Sequence, residues 1–299
     1  MTTTYPPAKK STTVRAKNAA PPALRLAFRT LDRIAPALSA RWALRLWCTT
    51  PANAGRRRDE RPRPGERSVV ALSGGREVAV ETWGFGPPVY LVHGWGGWRG
   101  QLGQFVTPLV ESGLRVVAFD APSHGESAPG RLGAGRATAP EFVEALTAVA
   151  AVHGTPAGIV AHSLGCATTA LAIHDGLTAG RLALIAPSTD PIALTDGLAR
   201  MLGYGPRTSS RFLARLELLA ERPLGDFDAA PLGTDGSMPP TMVIHDRDDK
   251  EVPYDDGVRL ASAWPSAELV TTEGLGHQRI LRDAGIVSLV VDFVAGGVA

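Results

Sequence analysis

The chain has 299 residues, of which 44% are hydrophobic and 20% charged, and its formal net charge is +2. A chain of this length and composition can bury one large core, and its two cysteines exclude a disulfide-rich scaffold. Because it has no run of about 18 apolar residues and no apolar stretch near its N-terminus, we expect a globular cytoplasmic protein without a membrane span or secretory signal.

The first 67 residues form a basic N-terminal extension. They carry 15 Lys and Arg against 4 Asp and Glu, whereas the rest of the chain carries 16 against 25. We predict a disordered start to about residue 22, a helical segment near residues 23–48 that Pro36 kinks or divides, and a mobile linker over residues 51–67. Apolar side chains recur in the helical segment at steps of three and four residues, at Leu24, Phe28, Leu31, Ala35 and Leu38.

This basic amphipathic segment has two interpretations. It can lie peripherally on an anionic membrane surface, or its apolar stripe can pack against the rest of the chain while its basic face meets the acidic domain. We favour packing, because the opposite charge is available within the same chain. Nucleic-acid binding is not expected, because the chain has no recognised binding module and clustered arginines alone are a weak signal.

Eight short apolar runs with helix-length segments between them predict an α/β fold with a mostly parallel eight-stranded sheet flanked by helices. The runs lie near residues 68–73, 76–83, 88–92, 115–119, 157–162, 181–186, 241–245 and 268–271. Helices are predicted over 139–152 and 166–175. Two more, over 191–202 and 207–221, predict a short helical cap inserted at about residues 188–238 of a domain spanning 68–299.

Motifs that carry chemistry follow the strands. A serine in a sharp turn between a predicted strand and helix is typical of a nucleophile elbow, and a glycine-rich loop after an early strand can donate a backbone N–H to an oxyanion. In chain order the motifs are His93-Gly94-Trp95, Asp120-Ala121-Pro122-Ser123-His124-Gly125-Glu126-Ser127, Ala161-His162-Ser163-Leu164-Gly165, the acidic loop 246–253, and Gly276-His277.

Over residues 68–299 these motifs resemble the α/β-hydrolase fold superfamily, of the esterase/lipase type, in which serine, acid and histidine occur in this order. The resemblance implies that Ser163 is the nucleophile and His277 the general base. It also selects Asp249 as the acid, because Asp249 lies four residues before the proline of a D-x-x-V-P ending. Asp248 is the next candidate and Asp246, which stands where the family usually has glycine, is the third.

The remaining site residues follow from the same resemblance. The backbone N–H groups of Trp95 and Leu164 are expected to form the oxyanion hole. Trp95, Met201 and Tyr204 are candidate walls of an apolar substrate pocket, although the residues of the cap more often form its own small core. His93 and His162 are expected to brace the site, and the turn around His124 and Gly125 to be structural.

We therefore expect a serine hydrolase that cleaves a small-molecule carboxylic ester through an acyl-enzyme, without cofactor. No two histidines have the helical spacing of metal ligands, so no metal is expected. The same nucleophile also serves thioesters, amides and carbon–carbon bonds, and fold analogy does not choose among them. A second hypothesis is a catalytically silent hydrolase-fold protein that binds a ligand or tethers to a surface. The complete set of Ser163, Asp249 and His277 speaks against it. Neither the natural substrate nor the oligomeric state is predicted.

Overall fold

A computed structural model describes residues 19–51 and 64–296 of the chain. The predicted disordered start and most of the predicted linker lie outside these residues. Within the described part, no helix combines the length and apolarity needed to cross a bilayer.

A central sheet of eight strands organises the molecule, in the order β1-β2-β4-β3-β5-β6-β7-β8. Strand β2 is antiparallel to its neighbours β1 and β4, and all other pairs are parallel. The mostly parallel sheet is therefore confirmed. The strands are β1 Glu66–Ala71, β2 Glu77–Trp83, β3 Pro88–Val92, β4 Arg115–Phe119, β5 Gly158–His162, β6 Leu182–Ile185, β7 Thr241–Asp246 and β8 Ala267–Thr272.

Helices cover both faces of the sheet, which is why its central strands are almost wholly apolar. Helices α4, α5 and α9 bury side chains on one face, and α3 and α11 on the other. The helices that follow the N-terminal pair are α3 Val106–Glu111, α4 Ala139–His153, α5 Leu164–His174, α6 Pro191–Leu202, α7 Pro206–Ala220, α8 Ala229–Leu232, α9 Tyr254–Ala263, α10 Gly276–Arg279 and α11 Ala284–Ala295.

The N-terminal segment forms two helices, α1 Pro22–Ile34 and α2 Pro36–Trp47. Pro36 divides them because a residue that precedes proline avoids the helical conformation, and Ala35 is non-helical with φ −148° and ψ 60°. Because of this break, the buried positions of α2 do not continue the periodicity of the apolar positions in α1. Leu38, predicted to continue the apolar stripe, is 55% exposed, and α2 instead buries Ser39, Ala40 and Ala43.

The helix pair α1–α2 packs on the cap helices α6 and α7. Phe28 of α1 stacks on Trp42 of α2, with ring centroids 4.7 Å apart, and contacts Tyr204 at 5.8 Å. Arg25 donates to the backbone carbonyls of Arg200 and Met201 rather than to a carboxylate. Apolar packing, these carbonyl hydrogen bonds and a hydrogen bond of 2.8 Å from the Thr208 N–H to the carboxylate of Asp32 in α1 make this contact.

Candidate active site

Ser163 lies in a strained turn between β5 and α5. Its backbone has φ 54° and ψ −122°, a conformation that side-chain-bearing residues rarely adopt and that costs about 1–3 kcal/mol. The turn is held by two hydrogen bonds, from the Ser163 N–H to the Ile185 carbonyl at 3.0 Å and from the Cys166 N–H to the Ser163 carbonyl at 3.0 Å. Because Ser163 directly follows β5, it lies at the carboxyl ends of the parallel strands, where ligands bind in this kind of sheet.

The loop after β3 lies directly on this turn, which explains Gly94 of the loop and Gly165 of α5. A β-carbon at position 94 would lie 2.9 Å from the Ser163 Cβ, and one at position 165 would lie 2.7 Å from the His93 carbonyl. Any larger residue would push the loop away from the serine. The sequence therefore uses glycine at both positions to bring the backbone N–H groups of the loop close to Ser163.

His277 and Asp249 are joined by a short hydrogen bond. The Nδ1 atom of His277 lies 2.7 Å from Oδ2 of Asp249, while Oδ1 accepts the N–H groups of Glu251 and Val252 at 2.8 and 2.9 Å. Burial alone would raise the pKa of Asp249, but the adjacent His245 ring and the hydrogen bond with His277 hold it well below its usual range. Asp249 is therefore a carboxylate that fixes the orientation of the His277 ring.

The two other candidates for the acid, Asp248 and Asp246, form no hydrogen bond with the His277 side chain and instead bind other groups. Asp248 accepts the Gly274 N–H at 3.0 Å, and Asp246 accepts the Thr272 hydroxyl at 2.7 Å and the Leu275 N–H at 2.9 Å. Both carboxylates thus hold the connection between β8 and His277. The departure from glycine at position 246 has a structural use, since its carboxylate fixes that connection.

His245 was not predicted from the sequence as a neighbour of this pair. Its ring is fully buried, with Nε2 3.4 Å from Oδ2 of Asp249, on the same oxygen that His277 contacts. Helix α9 makes room for the ring with a mid-helix glycine, because a β-carbon at position 257 would lie 2.6 Å from Nδ1 of His245. That glycine was the available sequence signal for a large group packed beneath the helix.

Two buried histidines brace the loop after β3. Nε2 of His93 accepts the Ala121 N–H at 3.0 Å, and Nε2 of His124 accepts the Gly96 N–H at 3.1 Å. Burial lowers the pKa of His93 to about 4 and that of His124 to about 3, so both rings are neutral at physiological pH. They act as fixed hydrogen-bond partners.

His162 supports the other side of the site. Its Nε2 lies 3.0 Å from the His277 carbonyl oxygen, and its ring contacts the His277 ring with centroids 4.6 Å apart. Burial lowers the pKa of His162 to about 3, which keeps the ring neutral beside His277.

A cavity of about 430 Å³ joins these groups. Ser163, His277, Trp95 and Leu164 all line it, as the sequence predicts for a nucleophile, a base and the two oxyanion-hole residues. The rest of its lining is made by Trp47, Pro51, Gly94, Gln101, Ala137, Thr138, Ala139, His162, Ser188, Leu194, Glu251, Val252 and Gln278.

Two of the three predicted pocket walls lie elsewhere, which corrects the prediction. Tyr204 is buried in the core between the cap and α1, against Phe28 and Phe212. Met201 lies at the end of α6, where its carbonyl accepts a hydrogen bond from Arg25. Tyr204 is covered by Phe28 of α1, Met201 is 36% exposed, and Trp95 alone of the three lines the cavity.

Residues 89–287 match the family model described as the alpha/beta hydrolase family. The chain belongs to that family. The hydrolase is 26% identical over 271 residues to a 2-hydroxy-6-oxo-2,4-heptadienoate hydrolase of Pseudomonas putida, a match that covers 76% of the chain and 95% of that relative.

Solved structures similar to the hydrolase include enzymes of two kinds. A thermophilic esterase from Thermogutta terrifontis is 17% identical with a TM-score of 0.59, covering 78% of the chain and all of that structure. A meta-cleavage product hydrolase from Pseudomonas fluorescens IP01 is 21% identical with a TM-score of 0.58, covering 76% and 96%. At these identities the likeness shows the shared fold and does not distinguish between the two activities.

Proposed function

We propose that this hydrolase cleaves small uncharged carboxylic esters through an acyl-enzyme formed on Ser163. The observation that carries the proposal is the hydrogen bond of 2.7 Å between Asp249 and His277, at a cavity that both His277 and the strained Ser163 line. A serine, an oriented imidazole and a buried carboxylate are the groups that acyl transfer to serine requires.

In the proposed reaction the Ser163 Oγ attacks the ester carbonyl carbon while Nε2 of His277 takes the hydroxyl proton. The negative charge that develops on the carbonyl oxygen is held by the backbone N–H groups of Trp95 and Leu164. Collapse breaks the bond to the alcohol oxygen, which receives the proton from His277. Water, activated by the same imidazole, then attacks the acyl-enzyme and releases the acid and Ser163.

The charges of the residues that line the cavity favour an uncharged substrate. Among the described residues that line the cavity none is lysine or arginine, and the acidic Glu251 lies there with Oε2 3.9 Å from Nε2 of His277. A carboxylate substrate would meet this charge without a partner, which is unfavourable in a partly desolvated cavity. A neutral ester meets no such penalty.

The second candidate is hydrolysis of a carbon–carbon bond, which the 26% identity to the heptadienoate hydrolase favours. By its name, the substrate of that relative is a carboxylate. The same Ser163 and His277 would serve this reaction. The two candidates therefore differ in the charge that the cavity must accept.

We expect kcat/KM for 4-nitrophenyl butyrate to exceed that for 2-hydroxy-6-oxo-2,4-heptadienoate by about fivefold, because the repulsion between a substrate carboxylate and the 58% exposed side chain of Glu251 is screened by solvent and costs about 1 kcal/mol. Steady-state assays of both substrates measure this ratio. The matched variant Glu251→Gln should lower this ratio, because removing the carboxylate should raise kcat/KM for the dienoate. Faster cleavage of the dienoate by the wild type would overturn the ester proposal in favour of carbon–carbon hydrolysis.

A further inference from the structure

A second, smaller cavity adjoins the candidate active site. Its volume is about 70 Å³, and its walls are almost entirely apolar, with side chains from α5, α6, α7 and the turn after α7. We call it the side pocket. The residues it shares with the larger cavity are Trp47, Thr138, Ala139, Leu164, Ser188 and Leu194.

The side pocket lies on the acyl side of the proposed reaction. The leaving alcohol must lie beside His277, because that residue returns the proton to it. His277 and its neighbours Gln278 and Glu251 line the large cavity but not the side pocket. Leu164, whose N–H would hold the oxyanion, lines both, so an acyl chain directed away from His277 enters the side pocket.

The N-terminal helix pair supplies one of the six residues at the junction of the two cavities. Trp47, at the end of α2, lines both of them, and its ring meets Phe212 of α7 edge-on with centroids 5.8 Å apart. The chain beyond it is fixed to the main domain, because the Cys48 carbonyl accepts the Ala137 N–H at 2.9 Å. Pro51 then packs on the loop after β3, within 2.8 Å of where a β-carbon at Gly96 would lie.

We propose that the side pocket is the acyl-binding site and takes short, unbranched, uncharged hydrocarbon chains, with Trp47 limiting their length. Its 70 Å³ is about half the volume of a cavity that holds a benzene ring, which leaves room for a few carbon atoms. The N-terminal helices are accordingly part of the substrate-binding cap rather than a separate arm. This inference rests on the proposed ester hydrolysis.

The test compares kcat/KM for 4-nitrophenyl butyrate and octanoate in the full-length protein. The wild type should prefer butyrate, and Trp47→Ala should shift the ratio toward octanoate by about tenfold or more, since a few methylene groups in an apolar pocket are worth that much. Trp42→Ala is the matched control. Trp42 lies on the same helix and stacks on Phe28, but it lines neither cavity, so its loss should leave the ratio unchanged.

A second variant narrows the junction instead of opening it. Leu194 is partly exposed and lines both cavities, so Leu194→Trp can be accommodated at the surface and should lower cleavage of butyrate relative to acetate. An unchanged ratio in both cavity variants, or an equal shift in Trp42→Ala, would overturn the acyl-site proposal in an active esterase. A folded wild type that cleaves none of these esters would overturn the proposed function as well.

Discussion

Asp249→Asn is expected to lower kcat on a short-chain ester by about 10⁴-fold, the effect of removing the carboxylate that orients a catalytic histidine. The carboxylate accepts a hydrogen bond of 2.7 Å from Nδ1 of His277. An amide is neutral, and its NH₂ group favours the tautomer that leaves Nε2 protonated and unable to accept the proton of Ser163. KM should change little, because Asp249 itself is not among the residues that line the cavity.

Asp248→Asn is the matched control for this prediction. Asp248 accepts the Gly274 N–H at 3.0 Å, and an asparagine oxygen preserves that contact. Its loss in kcat should stay below about tenfold, the value of one ordinary hydrogen bond. Steady-state kinetics on the two variants, with thermal unfolding to verify that both are folded, measure the difference. A larger loss in Asp248→Asn would contradict the assignment of Asp249 as the acid.

Arg99→Met is expected to lower the free energy of unfolding by about 3–5 kcal/mol, because it removes the guanidinium that pairs with the fully buried carboxylate of Asp120. Arg99 is 2% exposed and follows the loop after β3. Its guanidinium donates to Glu81 at 3.0 Å, to Glu126 at 2.6 Å and to Asp120, which are held by β2 and the turn after β4. The residue therefore ties the loop that carries Trp95 to two strands of the sheet.

The loss in Arg99→Met should be larger at pH 8 than at pH 5. Burial raises the pKa of Asp120, and removal of Arg99 raises it further, so the folded variant binds a proton that the unfolded chain releases. Stability then falls as the pH rises. The control is Arg67→Met, since Arg67 is an exposed partner of Glu126 at 3.9 Å and should contribute less than about 1 kcal/mol. Equal losses in the two variants by urea unfolding would contradict this account.

Most of the sheet and the central site could be predicted because they depend on local sequence. Each strand is a short apolar run, and the strand–Ser163–helix order is contiguous in the chain. The resemblance to the family's D-x-x-V-P ending favoured Asp249 over its neighbours, and in the structure Asp249 has the hydrogen bond to His277. Where local pattern decides the structure, the predictions and the observed elements agree closely.

The errors arise where long-range packing decides. Tyr204 was expected to face the substrate pocket. The local sequence does not show whether a substrate or another helix covers such an aromatic side chain. In the structure α1 covers it through Phe28. Leu38 was misplaced because the break at Ala35 resets the helical phase. The position of Trp47 in the lining of the cavity could not be predicted, because more than 100 residues separate it from Ser163 along the chain.

In the turn of residues 120–127, the sequence alone does not explain why a serine occupies position 123. Ser123 has a positive φ of 59°, and its Oγ accepts the Gly130 N–H at 2.8 Å. A serine can support that conformation because its hydroxyl holds the next loop in place. Only the three-dimensional contact shows why a residue other than glycine is accepted there.

The most direct test of the central claim is covalent labelling by a fluorophosphonate probe, which reacts with a serine only when a base and an oxyanion hole activate it. We predict labelling of the wild type at Ser163 and none of Ser163→Ala. Ser188→Ala is the matched control, because Ser188 lines the same cavity and its loss should leave labelling intact. Labelling that persists in Ser163→Ala, or a folded wild type that is not labelled, would contradict an activated nucleophile at this position.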